Sequence, residues 1–172
     1  MRLVGPRVIL VPVPRAVSAA VVDGTGLQSA LDSLGLLAAK GWPHPDTADA
    51  LRPLSADGPD PAKGTFLITV GGELVGECGW LDGPPDNGDA EIGYGLASSA
   101  RGRGLGTEAV GLLASWVEQQ PGVDRVVADV LVGNDSSRRL LERLGFRAGG
   151  QAPPYVTYVR DRLHMDRSSG SG

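Results

Sequence analysis

The chain has 172 residues, 41% of them hydrophobic and 21% charged, which is enough for one domain with a proper core and too short for two ordinary ones. Its formal charge of -4 argues against a nucleic-acid surface and suits a cationic amine, and Cys78 as the sole cysteine rules out an intramolecular disulfide or a zinc knuckle. No run approaches the roughly 18 apolar residues of a membrane span. Pro6, Pro12, Pro14, Arg7 and Arg15 interrupt any signal-like core near the start, so a soluble, cytoplasmic protein is expected.

Residues 7–13 are β-branched and bounded by prolines, which reads as a first strand; Pro12 cannot donate to a ladder and points to a sheet edge. A short helix over 14–22 ends at Asp23-Gly24. Leu27, Leu31, Leu34, Leu37 and Ala38 recur at helical spacing and predict an amphipathic helix over 27–40, broken by Gly41-Trp42-Pro43-His44-Pro45 and followed by another helical turn over 47–54. Residues 55–64 are rich in Pro, Gly and Asp and read as a surface loop, a candidate lid. The runs 65–70 and 73–81 about Gly71-Gly72 form the clearest hairpin, because Gly-Gly suits a tight primed turn. After a turn-rich connection, residues 90–96 make a fourth strand with Ile92, Tyr94 and Leu96 on one face and Glu91, Gly93 and Gly95 on the other. A face that bare lets a ligand or another backbone come close.

Leu105, Ala109, Leu112, Leu113 and Trp116 lay one apolar stripe along a helix that Pro121-Gly122 ends. The Val-rich run 123–132 reads as a buried fifth strand. Asn134 is a good N-cap for a helix turning Leu140, Leu141 and Leu144 inward, and Gly145-Phe146 is a Schellman-type stop. A sixth strand starts at Phe146, 151–154 reads as a break, 155–165 as the last strand, and 168–172 as a disordered tail.

The chemistry-bearing stretch is Arg101-Gly102-Arg103-Gly104-Leu105-Gly106-Thr107, between the fourth strand and the following helix. Its glycines leave backbone N–H groups uncovered and permit positive φ, so successive amides can converge on an anion at a helix N-terminus, with Arg101 and Arg103 adding charge. A dinucleotide fingerprint would need its third glycine at Thr107, one residue later than Gly106, and no Gly-Lys-Ser or Gly-Lys-Thr exists to make a Walker loop. The stretch resembles the R/Q-x-x-G-x-G/A acyl-CoA pyrophosphate loop of the GNAT N-acetyltransferase family, with Arg101, Gly104 and Gly106 in the defining places. Downstream, Asn134-Asp135-Ser136-Ser137 through Leu144-Gly145-Phe146 is similar to the helix after that family's fifth strand. The likeness is firm over about 64–147 and closest in pattern to the ribosomal-protein N-terminal acetyltransferase branch.

The resemblance implies an α/β fold, a single acetyltransferase domain over 1–167 with a central mixed, mostly antiparallel, six- to seven-stranded sheet flanked by helices. It implies acetyl transfer from acetyl-CoA to a primary amine, a protein N-terminus or a small molecule, in a ternary complex. The amides of Gly102, Arg103, Gly104, Leu105, Gly106 and Thr107 would hold the pyrophosphate, and the backbone of Leu96 and Ala97 would pair with the pantetheine amides. Asn134 and Ser137 would lie beside the cofactor, although both also read as capping residues. Many members carry a Tyr as acid for the thiolate four residues beyond the Ser place; here that position is Leu141, so Ser137 is the candidate, directly or through water.

For the base, Glu91 is the first candidate and Glu77 the second, since a carboxylate near an apolar cleft can take an ammonium proton. Glu108 reads as structural at a helix N-terminus, His44 and His164 as lone structural histidines, and Cys78 as a buried thiol. No metal set is apparent, and neither nucleic acid nor membrane is an expected partner. A monomer or homodimer fits equally. The alternative to an enzyme is a GNAT-like domain that binds acyl-CoA as a sensor or assembly part.

Overall fold

Short-range backbone rules build the central hairpin. A β-branched run forms a strand at Thr65–Val70 and a buried run forms its partner at Glu73–Trp80, and Gly71 and Gly72 between them take φ +56 and +86, the left-handed pair that a two-residue primed turn requires. The computed structural model describes residues 1–57, 64–81 and 86–162. Within these the elements are β1 (Leu3–Val4), β2 (Ile9–Pro12), α1 (Arg15–Asp23), α2 (Leu27–Asp32), β3 (Leu37–Ala38), α3 (Thr47–Asp57), β4 (Thr65–Val70) and β5 (Glu73–Trp80). They continue with β6 (Asp89–Leu96), α4 (Leu105–Val117), β7 (Arg125–Leu131), α5 (Asp135–Arg143), β8 (Arg147–Ala152) and β9 (Tyr155–Asp161). The strands form one sheet in the order β1-β2-β4-β5-β6-β7-β9-β8, with β3 added beside β5; only β6–β7 and β3–β5 are parallel. Two of its strands, β1 and β3, are two residues long, which is why the sheet exceeds the six or seven strands expected.

Helices cover both faces. From α4, Trp116 meets Phe66 edge-on at 5.5 Å and Trp80 at 6.2 Å, so α4 lies on the face that Phe66 and Trp80 present, with Leu141 of α5 buried on the same side. The other face is covered by the 42–47 segment and the helices around it, with Val17, Leu31 and Leu51 buried. No helix among the described residues is long and apolar enough to cross a membrane.

Several expectations are corrected. The helix predicted over 27–40 ends at Asp32: Gly35 turns at φ +65, the N–H of Leu36 returns to the Leu31 carbonyl at 3.0 Å, and Leu37 and Ala38 then pair with Glu73 and Leu74 as strand. β2 is not the sheet edge, because β1 pairs with Ile9 and Leu10; the missing N–H of Pro12 lies beyond that pairing. β7 is buried on one face only, through Val126, Ala128 and Val130, while Arg125 and Asp129 on the other bond Asp89 and Thr157. α4 is buried over more than a stripe, since Val110, Ala114 and Val117 are also inaccessible. β8 runs on to Ala152, which narrows the break expected over 151–154. The candidate lid from 58 onward, His164 and the 168–172 tail lie outside the described residues.

Candidate active site

β6 is paired along one edge and half open along the other. Toward β5 its register runs from Trp80↔Ile92 to Gly76↔Leu96, while toward β7 it stops after Asp89↔Arg125, Ala90↔Val126 and Glu91↔Val127. The N–H of Leu81 bonds the Glu91 carbonyl at 2.9 Å and the N–H of Ala97 bonds the Val75 carbonyl at 2.8 Å. In an antiparallel ladder these fix alternate residues of β6 as the ones bonded to β5. The N–H and C=O of Ile92, Tyr94 and Leu96 therefore turn toward β7, and those of Tyr94 and Leu96 lie past the last β7 pair, Glu91↔Val127. Such an edge can take an extended, amide-bearing ligand by main-chain hydrogen bonds.

At the end of this edge a 3₁₀ turn at Ser98–Ala100 leads into the glycine loop. Gly102 and Gly104 adopt φ +72 and +75, as expected, but Gly106 is helical. It is needed for space instead, since a Cβ there would come within 2.9 Å of Leu96 Cδ1 and 3.0 Å of Leu140 Cδ1. Gly104 is the N-cap of α4 and brings no side chain to cap it, so the first-turn N–H groups face outward with the helix dipole behind them. The loop borders a cavity of about 330 Å³ whose wall includes Arg101, Thr107, Arg139 and Arg143. A second cavity of about 240 Å³, lined by Tyr94, Asn134 and Ser137, shares Leu96, Arg101, Ser136 and Leu140 with the first. Together they make one groove from the glycine loop along β6.

Glu108 locks this loop to the start of the chain. Its Oε1 accepts the N–H of Arg7 at 2.7 Å and of Val8 at 2.8 Å, its Oε2 accepts Arg7 Nε at 2.9 Å, and Arg7 Nη1 reaches the Arg103 carbonyl at 2.9 Å. Partial burial acts to raise its pKa, yet these donors outweigh it and hold the carboxyl below its ordinary value. The structural reading of Glu108 stands on these bonds.

Tyr94 and Glu77 flank β6 on opposite faces. On the groove side, Tyr94 Oη and Ser137 Oγ are 2.5 Å apart, and Asn134 Oδ1 accepts the Ser137 N–H at 3.1 Å as an N-cap. Burial raises the Tyr94 pKa against the opposing hydrogen bond from Ser137. Leu141 is wholly buried in the core. On the other face Glu77 is 4% exposed; Trp42 Nε1 donates to its Oε2 at 2.6 Å and Thr47 Oγ1 to its Oε1 at 3.2 Å. His44 Nε2 stands 2.5 Å from Oε1, within hydrogen-bonding distance. Desolvation raises the Glu77 pKa against the lowering contributions of Trp42, His44 and Thr47. Gly95, opposite Glu77 in register, makes room for this cluster: a Cβ on it would sit 2.8 Å from His44 Cε1 and 3.0 Å from Glu77 Oε1.

The structure thus gathers Leu96, Arg101, Gly102, Gly104, Leu105, Gly106, Thr107 and Ser137 around the groove. The Ala97 N–H is bonded to the Val75 carbonyl and its carbonyl accepts the Ala100 N–H, while the neighbouring Leu96 carbonyl accepts Arg101 Nε at 3.3 Å. Glu91 sits at the closed end, in the last residue pair before β7 diverges, whereas Glu77 stands directly across from Gly95. Cys78 is fully buried and burial raises its thiol pKa, which suits packing and not nucleophilic attack. Sequence reasoning missed Tyr94, Trp42, His44, Thr47, Arg139 and Arg143. The bare glycine face of β6 was the one local signal, since it asked what covers Gly95. Among the described residues no three His, Cys, Asp or Glu side chains gather to hold a metal ion.

Comparison with known proteins agrees with this geometry. Residues 36–147 match the family model described as the acetyltransferase (GNAT) domain. The uncharacterized N-acetyltransferase YjdG of Bacillus subtilis is 33% identical over 87 residues, 51% of this chain and 52% of that protein. The putative ribosomal N-acetyltransferase YdaF of the same organism is 38% identical over 80 residues, 46% of this chain and 40% of that one, so the alignments span about half the length of these curated relatives, or less. RimL, the ribosomal L7/L12 alpha-N-protein acetyltransferase solved with coenzyme A, superposes with a TM-score of 0.67 over 94% of this chain and 98% of its own, at 19% identity, a likeness of fold. With the glycine loop, the half-open strand beside it and a domain match spanning most of the chain, the protein belongs to the GNAT acetyltransferase family.

Proposed function

We propose that the chain moves an acetyl group from acetyl-CoA to a primary amine within a ternary complex, and that the amine is a protein N-terminus or a small cationic molecule. The observation that carries the reading is the edge of β6 left open beyond Glu91, continuous with the uncapped N-terminus of α4. The α4 amides with Arg101 suit the pyrophosphate, Arg139 and Arg143 suit further phosphate charge, and the cleft-facing peptide groups of Tyr94 and Leu96 suit the extended pantetheine amides. Ser137, bonded to Tyr94, is the hydroxyl assigned to protonating the departing thiolate, and its place on the wall of the groove supports this. On the other face the carboxylates are Glu77, in contact with His44, and Glu91. The ribosomal names of YdaF and RimL favour a protein N-terminus, and the net charge of -4 favours a cationic acceptor. Residues 1–167 act as one unit, in the cytoplasm.

Two measurements test this. Acetyl-CoA at a hundredfold excess over its Kd should stabilise the native state by roughly 2.7 kcal/mol, adenosine diphosphate by less and NAD not at all. Thiol release from acetyl-CoA should appear with some member of a panel of amines and N-terminal peptides. Equal stabilisation by NAD would overturn the acyl-CoA assignment; acetyl-CoA binding without thiol release from any acceptor would replace the enzyme with an acyl-CoA sensor.

A further inference from the structure

His44 stands in none of the roles described so far, yet its surroundings are those of a prepared functional group. The segment that carries it is pinned at several points. The His44 N–H donates to Thr47 Oγ1 at 3.1 Å, the His44 carbonyl accepts the Thr47 N–H at 3.0 Å, and Trp42 and Thr47 both bond the Glu77 carboxylate. The imidazole is thereby held with Nε2 against Glu77 and its ring on the Cα of Gly95. Gly95 lies between Tyr94 and Leu96, whose peptide groups face the open edge, so His44 is one residue's width from the cleft. It occupies the face opposite the Tyr94–Ser137 hydroxyls.

Accessibility divides the labour between the two side chains. The Glu77 side chain is 5% exposed and its oxygens are taken up by Trp42, Thr47 and His44, so an amine arriving from solvent does not reach it. The His44 side chain is 17% exposed with Nε2 buried, and Nδ1 makes no hydrogen bond among the described residues. An imidazole with one nitrogen on a buried carboxylate and the other free is a proton acceptor of fixed tautomer.

We propose that His44, backed by Glu77, takes the proton from the ammonium group of the acceptor. This deepens the acetyl-transfer reading and rests on it. Nδ1 accepts one proton from R–NH3⁺ while Nε2–H stays on Glu77, and the neutral amine attacks the thioester carbonyl carbon. The C–S bond then breaks, the thiolate gains a proton through the Tyr94–Ser137 hydroxyls, and that proton is replaced by the second one lost from the acylated nitrogen. The imidazolium returns its proton to water, so the balance is one amide, one thiol and one proton released. Glu77 is a positioning residue: it orients the ring and stabilises the imidazolium. Among the described residues the ionisable group in contact with His44 is Glu77 from β5; β6 offers the backbone of Gly95, α3 the neutral hydroxyl of Thr47, and the preceding loop the indole of Trp42.

The test is kcat/KM against pH with acetyl-CoA and whichever peptide or amine of the panel supports thiol release, with acetyl-CoA Kd measured in parallel. His44→Gln should lower kcat/KM near pH 7 by roughly 10² to 10⁴ at unchanged Kd, and the deficit should shrink as pH rises because the amine then arrives neutral. Glu77→Gln, which keeps an acceptor for Trp42 and Thr47, should give a smaller loss and move the His44 imidazole titration seen by NMR. The wild-type His44 signal is identified by its absence in His44→Gln, one of only two histidines being removed. Added imidazole should partly restore His44→Ala. Wild-type turnover in His44→Gln, or a loss that does not recover with pH while Kd is intact, would overturn the proposal, as would a pH-recovering loss in Glu91→Gln with none in His44→Gln. Absence of thiol release from the wild type would remove the acetyl-transfer reading itself, and this role with it.

Discussion

Glu108→Ala tests how the cofactor loop is held. The carboxylate accepts two backbone N–H groups and the Arg7 guanidinium, across 101 positions of sequence. Hydrogen bonds to a charged acceptor contribute about 1.5–3 kcal/mol each, and a buried donor left without a partner costs about 1–3 kcal/mol. Arg7 is half exposed, so its ion pair contributes at most about 1 kcal/mol. The truncation should therefore cost about 3–5 kcal/mol, which in a protein of this size lowers Tm by roughly 10 °C. Urea unfolding at pH 7 should show a lower midpoint at unchanged slope, and acetyl-CoA should bind more weakly because Arg7 also holds the Arg103 carbonyl.

The pH dependence has a definite sign. The native carboxyl titrates below its ordinary 4.5, so the wild-type advantage is fully present above that value and disappears as pH falls through the lowered native one. A loss under about 1 kcal/mol at pH 7, or one that does not shrink at all in strong acid, would refute the argument that Glu108 ties these segments together.

Gly104→Val and Gly106→Val should each abolish acetyl-CoA binding in isothermal titration while the far-UV spectrum stays native-like, the first through its left-handed φ and the second through contact with Leu96 and Leu140. Tyr94→Phe should reduce kcat by roughly 10² at unchanged acetyl-CoA Kd, and adding Ser137→Ala should cost little more, because the two hydroxyls act as one donor; a double-mutant cycle with fully additive losses would separate them. Glu77→Gln should gain in stability relative to wild type as pH climbs above 4.5, since burial raises the native Glu77 pKa and its contribution is lost as pH rises through that raised value; melting curves across pH check the sign.

Local chemistry was enough for much of the fold. Gly71-Gly72 makes its turn by positive φ, Asn134 caps α5 through its own side chain, and Gly145 lets Phe146 N–H return to the Leu141 carbonyl at 3.0 Å. The glycine loop belongs to the same class, because an uncapped helix start after Gly104 is a property of a few consecutive residues. Where the reading failed, two signals competed: Leu34, Leu37 and Ala38 continue the helical period of α2, but Gly35 ends it and β5 offers Leu37 and Ala38 a ladder.

Tertiary structure alone decided the chemistry across β6. Tyr94 meets Ser137 from 43 positions away, Trp42 meets Glu77 from 35, and whether a strand edge is open depends on where β7 turns aside after Val127. Periodicity and capping report the environment of a residue within one or two turns of its own element. They carry no record of which distant side chain the sheet will bring against it, so the sequence by itself determined the elements and the phosphate cradle, and only the packed sheet placed a hydroxyl pair on one face of Gly95 and a carboxylate with an imidazole on the other.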